Sequence, residues 1–200
     1  MKRLTVFILA LTVFIFLGLA VTAQTLSEER EIYDMFLRLH IPANSDSEED
    51  QAVKLKVRDA VIELLSEPLK SCKTKDETVS IVQSMTNEIT LTANKVLKDN
   101  KMDYKARVSV VKEHYPEREY DGITLPAGEY TSLKIELGKA EGKNWWCVLF
   151  PQVCVGCARP TEALAEVGFT ANQIKLLTDS EDYEYVVKFK LLEIVEEIFG

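Results

Sequence analysis

Two hundred residues with 46% apolar and 28% charged side chains make one ordinary globular domain plus whatever the termini add, and the core can be a real one. Lys+Arg number 24 against 32 Asp+Glu, a formal charge of −8, which argues against nucleic acid as a partner because there is no basic surplus to displace counterions from phosphates. No internal repeat and no low-complexity segment divides the chain, and its residues suggest neither a cofactor nor a metal.

Lys2 and Arg3 precede an uncharged stretch from Leu4 to Ala23. At about 1.5 Å per helical residue this is long enough to cross a bilayer. Val21-Thr22-Ala23 carries small residues at the spacing a signal peptidase reads, with Gln24 following. The segment is therefore an export signal cleaved after Ala23 or an uncleaved anchor, and in either case residues 4–23 meet the membrane. Beyond it remain 22 Lys+Arg against 32 Asp+Glu, a formal charge of −10. We expect three parts: 1–23 as signal or anchor, 24–157 as an α+β domain, and 158–200 as an acidic C-terminal extension.

Ser27-Glu28-Glu29-Arg30 opens a short helix in which Ile32, Met35, Phe36 and Leu39 fall at helical spacing. It delivers the chain to His40. Pro42 pushes Ile41 into extended geometry, and Asn44-Ser45-Asp46 offers side-chain oxygens to local N–H groups. Ser47 with Asp50 resembles a capping box. The helix it opens should run to about Ser66, ended by Pro68, with Val53, Val57, Ala60, Val61 and Leu64 as its apolar stripe. Asp50, Lys54 and Arg58 share another face; they form either a solvated surface with weak i,i+4 pairs or, with Gln51, a recognition stripe beside the His40 to Asp46 loop. Thr74 with Glu77 caps a second helix, predicted as continuous from Asp76 to about Lys98.

From Tyr104 the period changes to two. Tyr104, Ala106, Val108 and Val110 predict one strand, Leu133, Ile135 and Leu137 a second, and Trp145 to Leu149 a third. Short connections make these antiparallel neighbours. The fold class is thus α+β, two long helices packed on a small antiparallel sheet, preceded by the signal or anchor helix. Thr161 to Val167 suggests a helical turn or two, Thr178 to Asp182 an acidic loop, and Tyr183 to Phe199 begins strand-like and ends helix-like.

Gly142 to Cys154 concentrates both tryptophans and two of the four cysteines. On a strand, Trp145 and Trp146 must point to opposite faces. The run is poor in acids and bases, so packing and recognition suit it better than catalysis. Beyond the membrane, disulfides can persist; pairing of Cys147 with Cys154 is the plainest of the arrangements open to Cys72, Cys147, Cys154 and Cys157, and Cys154-Val-Gly-Cys157 lacks the helix-opening context of a redox motif. His40 is either a buried, hydrogen-bonded histidine or, with Asp46 or Cys147, the centre of an extracytoplasmic hydrolase. The hydrolase would need those groups to converge in a cleft.

Two stretches, His40-Ile-Pro-Ala-Asn-Ser-Asp-Ser-Glu-Glu-Asp-Gln-Ala-Val-Lys-Leu-Lys-Val-Arg-Asp59 and Gly142 to Cys154, with Pro126-Ala-Gly-Glu-Tyr130 between them, together resemble the stage II sporulation protein R family. Ile41-Pro42 departs from the Val-Ile expected after the histidine. The resemblance implies a secreted signalling protein of endospore formation that crosses the forespore membrane into the intermembrane space and is not itself an enzyme. It further implies that the partner is a membrane-embedded aspartic protease of the mother cell, which then trims the precursor of an early mother-cell sigma factor. The partner-binding residues expected on that basis are His40, Asn44, Ser45, Asp46, Asp50, Gln51, Lys54 and Arg58, with Trp145 and Trp146 as a second patch.

Overall fold

The structure, a computed structural model, describes residues 12, 32–120, 122–151 and 160–178. The expected cleavage site after Ala23, Cys154, Cys157 and everything after Thr178 lie outside the described residues. The chain divides into two units, Met1–Tyr33 and Asp34–Gly200, and the sheet and the helices packed on it belong to the second. Among the described residues no helix is long and apolar enough to cross a membrane.

The sheet has four strands in the order β2-β5-β1-β6, with β1 Leu37–Pro42, β2 Ala106–Tyr115, β5 Gly128–Leu137 and β6 Asn144–Phe150. It is mixed, which corrects the antiparallel expectation: β1 runs parallel to β5 and antiparallel to β6, while β2 and β5 pair antiparallel. β5 and β6 are consequently not neighbours. β1 lies between them, although the helical spacing of Phe36 and Leu39 places its first residues at the end of a helix. The competing signal is the alternation Leu37-Arg38-Leu39-His40-Ile41, and tertiary pairing on both sides decides for it. A parallel pair needs a long crossover, which here is supplied by the helices between β1 and β2.

Helix α1 spans Glu48–Leu69 and starts as expected, with the Ser47 side chain accepting from the Asp50 N–H at 3.2 Å. It continues past Ser66 with Pro68 inside, where a proline near the last turn removes only one intrahelical bond. Val53, Val57, Val61, Leu65 and Leu69 form its buried stripe. The predicted long second helix is two, α2 Lys75–Ser84 and α3 Thr86–Asp99, broken at Met85 with φ −91° and ψ 3°. α1 and α3 lie against the sheet face that carries Leu39, Ile41, Leu133, Ile135 and Leu137, and the shared core includes Ile89, Ala93 and Leu97.

A two-stranded hairpin, β3 Arg118–Tyr120 with β4 Ile123–Leu125, falls where the sequence shows only turn residues. Two short helices, α4 Pro160–Glu166 and α5 Ala171–Thr178, come after the sheet. Phe169 between them packs on Phe36 with ring centroids 5.2 Å apart.

The loop after β1 is pressed against the turn between β5 and β6. Gly142 donates its N–H to the Ala43 carbonyl at 2.9 Å, and a Cβ on Gly142 would fall on the Ser45 carbonyl, well inside van der Waals contact with backbone. Gly142→Ala should therefore destabilise the protein by about 1–3 kcal/mol through overpacking. The check is a lower urea midpoint with the slope unchanged; an unshifted midpoint would contradict the close approach.

Candidate partner-binding site

Alternation in β1 sends Leu37, Leu39 and Ile41 into the helical core and turns Arg38 and His40 to the other face. That face is not bare. Tyr115, Tyr130 and Ser132 are buried on it, and Glu113 and Trp146 are half-buried. Each ring nitrogen of His40 is engaged: Nδ1 lies 3.0 Å from both Glu113 carboxylate oxygens and Nε2 lies 3.0 Å from Asn144 Oδ1. The ring stacks on Trp146 at 3.7 Å, and Glu113 also pairs with Lys134 at 3.1 Å.

Arg38 is fully buried. Its guanidinium sits over the rings of Tyr115, Tyr130 and Tyr120, with centroids 4.0, 4.8 and 5.3 Å away, an arrangement in which the electron-rich ring faces offset part of the lost hydration. Nη2 donates to the Tyr120 hydroxyl, but Nε and Nη1 have no partner among the described residues. Burial pushes the Tyr120 and Tyr115 hydroxyls up from their ordinary range.

An open groove of about 540 Å³ adjoins this cluster, bounded by Arg118, Glu119 and Tyr120 of the hairpin and by Lys143, Asn144, Trp145 and Trp146 at the start of β6. The two tryptophans do take opposite faces of β6. Trp146 meets His40, while Trp145 lies under the Arg58 guanidinium at 4.3 Å, and its indole N–H is buried without a partner among the described residues.

The expected recognition loop and stripe fare unevenly. Asp50 is buried and accepts from Asn44 Nδ2 at 2.9 Å, from Ser45 Oγ at 2.5 Å and from the Tyr104 hydroxyl. Desolvation raises its carboxyl, yet the bonds from Ser45, Tyr104, Asn44 and Ser47 outweigh it and hold the group below the usual range. Lys54 is also buried and donates to Gln51 Oε1 at 2.6 Å and to the Lys143 carbonyl at 2.9 Å; Gln51 in turn donates to the Ser45 carbonyl at 2.8 Å. Asp46 accepts from the Lys143 N–H at 2.6 Å. These residues hold the loop against β6, and a solvated face formed by Asp50 and Lys54 is excluded. Arg58, ion-paired to Asp59 at 2.6 Å, keeps about a fifth of its side chain exposed.

The hydrolase geometry does not assemble. His40 pairs across with Trp146, and Cys147 pairs with Leu39, so the thiol and the imidazole project from opposite faces of the sheet. Asp46 is engaged in the loop, and Glu113 occupies the place expected of an acid beside His40. Sequence reasoning missed Arg38, Glu113, Tyr115, Tyr120, Tyr130, Ser132, Lys134 and Asn144. Reading Arg38 and His40 in register with the even positions of β5 would have pointed to Ser132 and Lys134.

The fold and the site define an α+β protein whose mixed sheet carries helices on one face and, on the other, a buried polar cluster beside an aromatic groove. Within that class the chain belongs to the stage II sporulation protein R family, whose model matches residues 33–159. Stage II sporulation protein R of Bacillus subtilis (strain 168) is 37% identical over 123 residues, 62% of this chain and 55% of that one. The chain thus spans about half the length of the curated relative it matches. No solved structure matches. The family is named for sporulation and not for an enzymatic activity.

Burial raises the Glu113 carboxyl, but the bonds from His40 and Ser132, attraction to His40 and the bond from Lys134 prevail, bringing it from 4.5 down to about 2. A carboxylate depressed on folding stabilises fully above its unfolded value and loses that contribution as pH falls through the folded one. Stability should accordingly decline on acidification from pH 4.5 towards about 2, and Glu113→Gln should flatten that limb. Urea midpoints at pH 6, 4 and 3 (about these values) check it; parallel profiles for the two proteins would contradict the assignment.

Proposed function

We propose that the protein is an exported signal of endospore formation. On this reading it crosses the forespore membrane and stimulates a membrane-embedded aspartic protease of the mother cell, which trims the precursor of an early mother-cell sigma factor. The observation that carries the proposal is the family match over residues 33–159, a span that contains the sheet, the polar cluster and the groove. The uncharged stretch from Leu4 to Ala23 behind Lys2 and Arg3 supports export. A ligand is favoured over a hydrolase because both nitrogens of His40 are engaged and Cys147 lies across the sheet from it.

Within this reading the protease meets the β6 edge of the molecule, with Trp146 on the groove face and Trp145 under Arg58 on the helical face as anchors of the kind that dominate interfaces. The test adds the purified chain to vesicles carrying the protease and its precursor substrate. Processing should appear with the wild type and fall at least about tenfold with Arg58→Ala, in line with loss of one anchor, while the melting temperature stays within a few degrees. Lys54→Ala should instead lower the melting temperature, because it removes bonds that fix the loop. No processing by wild-type protein would defeat the signalling reading, and full processing by Arg58→Ala would move recognition away from this surface.

We further propose cleavage after Ala23 and a bridge between Cys147 and Cys154. Support for the bridge comes from Cys72, which is a free thiol and so is removed as a partner for Cys147. So short a loop stabilises by roughly 2–3 kcal/mol in the chain-entropy model. Mass spectrometry of the exported protein should find an N-terminus at Gln24 and, without reduction, a peptide pair joining Cys147 to Cys154. A full-length chain confined to membranes, or Cys147 joined to Cys157, would overturn the respective half.

A further inference from the structure

The groove and the buried arginine behind it have complementary deficiencies. Arg38 carries a full positive charge with no carboxylate paired to it among the described residues, and two of its nitrogens, Nε and Nη1, make no hydrogen bond there. An unpaired buried charge is normally eliminated or paired. Its hydrogen-bond partner, Tyr120, belongs to the hairpin and forms part of the groove wall. Tyr115, which lies 4.0 Å under the guanidinium, meets Trp146 edge-on at 4.5 Å, so only one layer of aromatic rings separates Arg38 from the groove.

The groove itself is cationic on an acidic protein. Arg118 and Lys143 stand on opposite walls, both exposed and neither in an ion pair among the described residues, against a single acid in the lining, Glu119. Donors and positive charge therefore accumulate here, and acceptors are scarce. An occupant of matching chemistry brings carboxylates, and an open groove between a hairpin and a strand end suits an extended chain better than a compact solute.

We propose that this groove binds an extended acidic peptide segment of a partner protein, one of whose carboxylates displaces the Tyr120 hydroxyl from Arg38 Nη2 and takes that nitrogen together with an idle neighbour. A guanidinium holds a carboxylate through two parallel N–H bonds in this way. Tyr120 acts as the stand-in that keeps the cationic fork partly satisfied until the segment arrives. The site rests on the reading of this face as the partner-binding one but is defined by its own chemistry, so it can be tested without the protease.

Trp145 and Trp146 are the only tryptophans in the chain, so indole fluorescence reports the groove directly. The full chain is titrated at constant ionic strength with a blocked hexaglutamate peptide, with hexaglutamine, and with inorganic phosphate. Saturable change is expected with hexaglutamate alone. Lys143→Ala and Arg118→Ala should each weaken it about threefold or more, and Arg38→Lys, which keeps charge but not the planar fork, about tenfold. Tyr120→Phe removes the competing hydroxyl and should tighten binding, a result that a general electrostatic attraction would not give. Should Arg38→Lys fail to fold, Tyr120→Phe and Lys143→Ala decide. Equal responses to hexaglutamate and hexaglutamine, a match by phosphate, or unchanged affinity in Tyr120→Phe would each overturn the proposal. Loss of protease stimulation with peptide binding intact would count against the signalling role alone.

Discussion

The position of β1 is the constraint on which the remainder of the molecule depends. Leu37 to His40 pair on both sides, parallel with β5 and antiparallel with β6, while Ile41 and Pro42 pair with β6, and period-two geometry divides the strand between two environments. Leu37, Leu39 and Ile41 enter the helical core and are fully buried. Arg38 and His40 must then lie on the opposite face at the centre of the sheet, where water is largely excluded. A charged side chain there needs a shell, and the shell is what the other face supplies: three tyrosine rings around Arg38, and Glu113, Asn144 and Trp146 around His40. The polar cluster thus arises from pairing that the apolar half of the strand drives.

Much of the architecture was legible where one period dominated. The Ser47 cap, the Val53, Val57 and Val61 stripe and the strand around Val108 and Val110 all carry unmixed signals. The errors fall where two periods overlap or where a long-range partner decides. Ile32, Met35, Phe36 and Leu39 suit a helix while Leu37, Leu39 and Ile41 suit a strand, and both patterns share Leu39; only the presence of β5 and β6 on either side selects the second. The break at Met85 likewise leaves no mark in a 3–4 spacing that continues through it. A mixed sheet could not be inferred from short connections once the central strand was missing from the count.

The candidate site divides in a similar way. Loop and stripe were found because their polar residues are close together in sequence, and Trp145 and Trp146 because they are rare. Arg38, Glu113, Tyr115 and Tyr130 are dispersed along the chain and meet only through the register that sets Glu113 opposite Tyr130. Nothing short of that register brings them together.

Two kinds of polar residue in this protein answer to different physics. Asn44, Ser45, Asp50 and Lys54 are satisfied by one another and by backbone, with Asp50 alone accepting from three side chains. Removing any one leaves a buried partner unpaired, at a cost of roughly 1–3 kcal/mol, so a resemblance that runs through these positions is accounted for by architecture. Arg38 and the Trp145 indole are the reverse case, buried donors with capacity left over among the described residues. A fold that satisfies the Asp50 carboxylate three times over while leaving a guanidinium short of partners has not run out of polar groups in general. Around Arg38 it has left them out, and that place borders the groove between Tyr120 and Trp146.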